Sequence, residues 1–446
     1  MSPASELPSP SATEPISTSG LSAARVILKP RKALPFFGRH PWVLASAVDW
    51  VEAIHTNHPA EAKQETDAEE SSLDGQIVDL YTEKRKFIAR GFYNSQSRIR
   101  VRLFTWSETE ALDEAFWRGR IAAAIAMRRQ IGYEPSPGET NGDERTARST
   151  TACRLIFSEA DGLSGLIVDR YGDYLVLQAT SLAVAQRLEM IARILMDLVQ
   201  PRGIVLRTEK SMALLEGAEL VEGQVWGELA AGPIVMEEHG IKLEVDFHEG
   251  QKTGYYLDQR DNRRAAAAYF RGRRVLDLFC YTGGFSLTAA TWGGAKETLG
   301  VDCSKRAIAQ AQANATLNGL AQCRFEVGDG FQTLDALQEQ AAQFDAVILD
   351  PPKFARNRGS VNQALMAYHR INRSAVKLLS PGGILVTCSC SGNVSREDFL
   401  QTLSGVAQKT GRDIQILEVR GASPDHPVSS TCLETEYLKC VICRVV

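Results

Sequence analysis

From residue 273 onward, apolar runs of five or six residues alternate with longer stretches of helical periodicity. The runs fall at 275–279, 297–301, 324–327, 345–349 and 383–387, and the helical patterns follow from 285, over 304–318, from 331, over 362–379 and over 396–410. Such alternation is satisfied by a parallel sheet with helices on both faces, because each crossover returns the chain to the same edge direction. Two further strand-like runs, 414–419 and 437–445, are joined by a turn-rich segment and are expected to pair antiparallel. In an open sheet of this kind, ligands lie outside the carboxyl ends of the strands. The residues at those ends therefore constrain what the chain does. It shows no internal repeat.

Ahead of this sheet the pattern differs. Over 24–108 the chain has short alternating stretches, such as Gln76-Ile77-Val78-Asp79-Leu80-Tyr81 and Phe87-Ile88-Ala89-Arg90-Gly91-Phe92-Tyr93, separated by turn residues. This reads as a small β domain. A polar, acid-rich segment at 56–74 reads as a loop inserted into it. The whole chain carries a formal net charge of -4, yet residues 24–60 and 75–108 hold 12 Lys and Arg against 5 Asp and Glu. The β domain is locally basic. Arg98, Arg100 and Arg102 alternate with Ile99, Val101 and Leu103, so a regular strand would gather the guanidiniums on one face. That face is expected to meet phosphate, or else to be merely solvated.

Between the two lies a mixed α/β module over 109–250, beginning with a helix at 112–131 and a polar loop at 135–149. Residues 1–23, rich in Ser, Pro and Thr near their start, are expected to be a disordered tail with no secretory pattern. No apolar run approaches the length needed to span a bilayer, so no membrane partner is expected. All nine cysteines fall from Cys153 onward without a regular framework. A reduced, cytoplasmic setting follows as the expectation. Cys440 and Cys443 form a C-x-x-C on a strand-like run, which turns the two sulfurs to opposite faces, and no metal site is expected.

The chemistry is read from the strand ends. Asp277, followed by Thr282, Gly283 and Gly284, is placed to hold the amino-acid end of a cofactor, since glycines allow close backbone approach and a helix N-terminus favours a carboxylate. Asp302 falls where a ribose diol would be held, and Asp329 where an adenine amino group would be met. Each acid alone can be read as a helix cap. Three in order after three successive strands point to a bound nucleotide-like group. The turn Cys280-Tyr281-Thr282-Gly283-Gly284-Phe285 lacks the G-x-G-x-x-G of a dinucleotide dehydrogenase. Asp350-Pro351-Pro352-Lys353 follows the fourth strand and Cys390 the fifth. A thiolate can add to carbon 6 of a pyrimidine and make carbon 5 nucleophilic, with Asp350 against the base edge and Lys353 near a phosphate. Cys388 is the alternative nucleophile, and small apolar packing the structural reading of both cysteines. His239 and His248 precede the catalytic sheet and are read as structural. The set as a whole resembles an S-adenosylmethionine-dependent methyltransferase.

More specifically, the chain resembles the bacterial large-subunit ribosomal RNA cytosine-5 methyltransferase I family. The resemblance rests on Pro30-Arg31-Lys32, Arg39-His40-Pro41-Trp42, the run from Asp161 to Gly172, Glu237-Glu238-His239-Gly240, the run from Gln251 to Arg260, and Ser389-Cys390-Ser391-Gly392. It implies an α/β fold with a C-terminal class I methyltransferase (Rossmann-like) sheet over 251–446. A central domain over 109–250, named for the Glu-Glu-His-Gly signature, and an N-terminal β-barrel PUA domain over 24–108 would precede it. It also implies cofactor contacts at Gln251, Asp277, Asp302, Asp329 and Asp350, with S-adenosyl-L-methionine as the cofactor and Cys390 as the nucleophile.

The expected activity is 5-methylcytidine formation in large-subunit ribosomal RNA. Two alternatives stand beside it: guanine N-methylation that uses Asp350-Pro351-Pro352 without a nucleophile, and a non-catalytic RNA-binding assembly factor. The sequence leaves monomer and homodimer both open.

Overall fold

The computed structural model describes residues 22–54, 71–133, 150–208, 214–218, 220–246, 254–355 and 357–446. The tail up to residue 21, most of the acid-rich segment, the polar loop at 135–149, Gln251 and His248 lie outside the described residues. The chain gathers into two compact units, one holding Trp42–Gly119 with the residues up to Phe37, the other holding Gly38–Pro41 and Arg120–Val446. Among the described residues no helix is long and apolar enough to cross a membrane.

The first unit is built on six strands, β1 (Ala24–Leu28), β2 (Trp42–Leu44), β3 (Val48–Ala53), β4 (Ile77–Tyr81), β5 (Phe87–Tyr93) and β6 (Ile99–Thr105), in the order β2-β6-β5-β4-β1-β3. Only the β1–β4 pairing is parallel. Period-two patterning sends Val26, Leu28, Val43, Val78, Leu80, Val101 and Leu103 into one core. Asp79 and Arg90 sit directly opposite each other on β4 and β5. Their side chains close a two-pronged ion pair at 2.7 and 3.2 Å, which satisfies both charges where water is excluded. The helix α1 (Glu114–Gln130) starts at Asp113, whose carboxylate accepts the Phe116 N–H. Its first turn stacks Phe116 and Trp117 against Phe104.

The second unit opens with β7 (Ala152–Phe157), β8 (Leu166–Tyr171), β9 (Tyr174–Ala179), β10 (Gly203–Leu206) and β11 (Val225–Gly227), a sheet in the order β11-β10-β9-β8-β7. Helix α2 (Leu188–Val199) buries Ile191 and Leu195. A hairpin follows, β12 (Ile234–Glu238) and β13 (Ile241–Val245), whose two-residue turn is His239-Gly240. Both turn residues have positive φ, 52° and 78°, the conformation that matches the twist of a tight hairpin. The Glu-Glu-His-Gly signature is therefore this turn.

The large sheet has seven strands: β14 (Arg274–Leu278), β15 (Glu297–Asp302), β16 (Cys323–Val327), β17 (Phe344–Leu349), β18 (Leu379–Ser389), β19 (Ile414–Arg420) and β20 (Lys439–Val445). Helices α3 (Arg260–Ala267), α4 (Gly284–Thr291), α5 (Lys305–Leu317), α6 (Gly330–Glu339), α7 (Val361–Leu378) and α8 (Arg396–Thr410) flank it. The order is β16-β15-β14-β17-β18-β20-β19, with β14 to β18 parallel and β20 antiparallel to both neighbours. The sequence expectation of an antiparallel β19–β20 pair is met, and β20 lies between β18 and β19.

Alternation sorts the core: Leu276, Leu278, Val347, Leu349, Leu385 and Val441 pack on one face with Tyr368 and Phe399. Val275, Ala346, Ile348, Ile384, Val386 and Cys388 pack on the other with Phe270 and Phe285. Each buried Val, Leu or Ile among them contributes about 1.5–3 kcal/mol. Cys440 lies on the second face and Cys443 on the first, so the C-x-x-C sulfurs do face apart.

Candidate active site

Strand order reverses at β14, which pairs with β15 on one side and β17 on the other, and it is at such a switch point that an open α/β sheet forms the crevice for its ligand. Asp277 lies there on β14, fully buried. Its Oδ2 accepts the Ser286 N–H at 3.0 Å and hydroxyl at 2.7 Å, while Oδ1 is buried without a hydrogen-bond partner. Burial pushes the Asp277 carboxyl up to about 7, opposed by the Ser286 hydrogen bonds and reinforced by Asp350 and Asp302. The turn that follows is tight: Phe279, Tyr281 and Gly283 all have positive φ. At Gly283 (φ 88°), a Cβ would lie 2.9 Å from the Phe325 ring, and one on Gly284 would lie 2.3 Å from the Tyr255 hydroxyl. The Thr282 hydroxyl is buried without a partner.

Asp302 ends β15 and holds this turn. Its Oδ2 accepts the Tyr281 N–H at 3.0 Å and its Oδ1 the Ser304 N–H at 2.9 Å. The Tyr281 ring stands edge-on to Tyr256 at 5.2 Å. Asp329 caps α6, accepting from the Phe331 and Gln332 N–H groups at 3.0 Å each. The helix-cap reading thus accounts for one oxygen of Asp329, whereas Asp277 and Asp302 are not N-caps.

Asp350 follows β17. Its Oδ1 accepts from the Gln259 side chain at 3.0 Å, and that amide is oriented in turn by Asn262 Nδ2 donating to its oxygen at 2.7 Å. Cys390 follows β18, half-buried, with Sγ 3.8 Å from the Pro351 carbonyl oxygen. The loops bearing Asp350 and Cys390 are further stitched by the Ala355 N–H, which donates to the Ser391 hydroxyl at 3.2 Å. Cys388 is fully buried on the same β18 face as Val386, opposite Cys440 of β20 and beside Gln259. Burial pushes its thiol well above the usual range. Lys353 is exposed on the loop after Asp350.

Sequence reasoning missed three residues here. Gln259 sits in a quoted motif but reaches Asp350 only through the fold. Tyr256 borders the same crevice through its contact with Tyr281. Lys439 is 2% exposed and donates to the Ser391 and Val394 carbonyls beside Cys390. A lysine opening an apolar strand was the available signal.

The arginine trio of the first unit does not form one exposed face. Arg98 precedes β6 and is exposed, and Arg100 is half-buried, donating to the Asn94 carbonyl at 3.3 Å. Arg102 is only 7% exposed. The reason is topological: β6 is flanked by β2 and β5, and Arg102 lies opposite Trp42 on one and Phe92 on the other.

Two family models match the chain, one for a PUA-like domain over residues 26–106 and one for an S-adenosylmethionine-dependent methyltransferase over 225–431. Among solved structures, a protein from Streptococcus mutans assigned as a SAM-dependent methyltransferase superposes with a TM-score of 0.75 at 21% identity, covering 94% of this chain and 99% of that one. A further chain assigned as a methyltransferase, in complex with SAH, superposes with a TM-score of 0.76 at 22% identity over the same shares. These show a common fold. The ribosomal RNA large subunit methyltransferase I of Aeromonas hydrophila is 36% identical over 427 residues, 95% of this chain and 100% of its own length. That of Klebsiella pneumoniae strain 342 is 36% identical over 423 residues, 94% and 98%. With identity of this level sustained across both units, the chain belongs to the ribosomal RNA large subunit methyltransferase I family, whose cofactor is S-adenosylmethionine.

Proposed function

We propose that this protein methylates carbon 5 of a cytosine in large-subunit ribosomal RNA through a covalent adduct with Cys390. The observation that carries the reading is the position of Cys390, whose sulfur stands 3.8 Å from the Pro351 carbonyl in a loop tied to that of Asp350. The residues around the crevice fit the cofactor. Asp277 Oδ1 and the Thr282 hydroxyl are buried polar atoms awaiting a partner, and Gly283 and Gly284 leave the turn bare of side chains. In this reading Asp277, Thr282, Gly283, Gly284, Asp302, Asp329 and Asp350 hold the cofactor, together with Gln251. The bound cofactor supplies the methyl group that carbon 5 takes up.

The protein's own part begins with an unstacked base entering the crevice. The Cys390 thiolate forms a bond to carbon 6, and the electron pair of the 5,6 double bond moves onto the ring and makes carbon 5 nucleophilic. Asp350, held by Gln259, faces the base edge and steadies the charge that develops. After methylation the proton on carbon 5 is lost to a base. The carbon–sulfur bond then breaks, which returns the thiolate and restores the double bond. Residues 24–108 would grip the RNA backbone through Arg98 and Arg100, and Lys353 would meet a phosphate nearer the base. Residues 109–250 would join this grip to the catalytic domain over 251–446. Such a substrate would place the reaction in the cytoplasm.

Incubation with methyl-labelled S-adenosylmethionine and unmodified large-subunit RNA, followed by digestion to nucleosides, tests the proposal. Label is expected in 5-methylcytidine with the wild type and absent with Cys390→Ala. Label in a methylguanosine, or equal turnover by the variant, would overturn it.

A further inference from the structure

Lys439 opens β20 directly beneath the Cys390 loop. Its ammonium donates to three backbone carbonyls, Ser391 at 2.8 Å, Val394 at 2.7 Å and Tyr437 at 2.9 Å. Two of these acceptors belong to the turn that immediately follows Cys390. Among the described residues Lys439 makes no ion pair with a carboxylate, although it is 2% exposed. Carbonyl dipoles compensate only part of the cost of burying an ammonium, and a neighbouring anion compensates more.

Cys390 and Glu436 favour the charged form of Lys439, and Arg396 and Lys353 oppose it. Glu436 is engaged by Arg396. Tyr256, Tyr368 and Tyr437 interact with Cys390 electrostatically, and burial holds their phenols above the usual range and hence neutral; Tyr256 and Tyr368 also feel Asp350. Burial pushes the Lys439 ammonium down to about 8, so it remains charged through neutral pH. Of the groups that favour the charged ammonium, the Cys390 sulfur acts most strongly, ahead of Glu436.

We propose that Lys439 is a positioning residue for Cys390, fixing the turn that carries the sulfur and supplying the positive charge that favours thiolate over thiol. This rests on the reading of Cys390 as the nucleophile. A neutral residue in its place raises the thiol pKa and lowers turnover without weakening substrate binding.

The test is the pH dependence of Cys390 alkylation by iodoacetamide in the full chain, read by peptide mass spectrometry. A Cys303→Ser background removes the exposed thiol. In the wild type the midpoint is expected below the ordinary thiol value of about 8.5. Lys439→Gln, which keeps donors but loses charge, is expected to raise the midpoint by about one unit. Its kcat should fall about tenfold, one pH unit's worth of thiolate, with KM for RNA nearly unchanged. Lys439→Arg should restore the midpoint. A Gln midpoint equal to that of the wild type overturns the proposal. If the Gln variant does not fold, a wild-type midpoint at or above the ordinary value overturns it equally. Full methylation by Cys390→Ala would instead remove the nucleophile, while the alkylation midpoint still reports on Lys439.

Discussion

Glu238 and Arg263 form a two-pronged ion pair, Nε to Oε1 at 2.8 Å and Nη2 to Oε2 at 2.7 Å, with both side chains buried. Glu238 comes from the hairpin signature and Arg263 from α3, which leads into the large sheet. Arg263 also donates to the Tyr256 carbonyl, so the pair reaches the wall of the crevice. Removal of one partner from such a pair leaves an uncompensated buried charge. Glu238→Ala is therefore expected to lower stability by about 3–5 kcal/mol. Urea unfolding should show a lower midpoint with an unchanged slope for the transition that includes this unit. A shift near zero would show that the guanidinium finds another partner.

Asp277 sets a pH dependence. Its carboxyl, ordinarily at 3.8, is raised to about 7 in the folded chain. Between these values the unfolded carboxyl is ionised and the folded one still protonated, so unfolding releases a proton and stability falls as pH rises. The penalty is complete above about 7 and absent below about 4. Asp277→Asn lacks this titration, and its melting temperature without cofactor should decline less steeply across that window. Parallel slopes for the two proteins would show that Asp277 is ionised throughout.

Arg98 and Arg102 should separate cleanly. Arg98→Ala, at an exposed position, is expected to weaken RNA binding at low salt and reduce the slope of log affinity against log salt by about 1. Its stability should be unaltered. Arg102→Ala should lower the melting temperature first, because the side chain packs within the sheet. Equal salt slopes for Arg98→Ala and the wild type would remove Arg98 from the RNA surface.

The parts of the site legible in the sequence are those in which a short stretch contains its own explanation. Asp277, the glycine turn and the start of α4 lie within eight consecutive positions, and the same holds for Asp302 with α5 and Asp329 with α6. Local periodicity also placed Cys388 and Cys390 at the end of one strand. It could not show that Cys388 turns into the core, because that depends on β20 pairing Cys440 against it. Arg102 was misread for a related reason: alternation gives the face of a strand but not whether that face is covered. The links from Gln259 to Asp350 and from Lys439 to Ser391 cross dozens of positions and leave no periodic trace.

The strand order has a consequence for synthesis. β18 and Cys390 leave the ribosome before β20, which alone joins the edge strand β19 to β18, and it is β20 that brings Lys439 beneath the loop. Domains fold as they emerge, N-terminal parts first. A growing chain would thus carry its glycine turn and carboxylates for some seconds while the loop bearing the sulfur still lacked its brace. On the proposed roles of Cys390 and Lys439, the thiol would become an active nucleophile only once β20 was in place, a form of timing that needs no separate regulator.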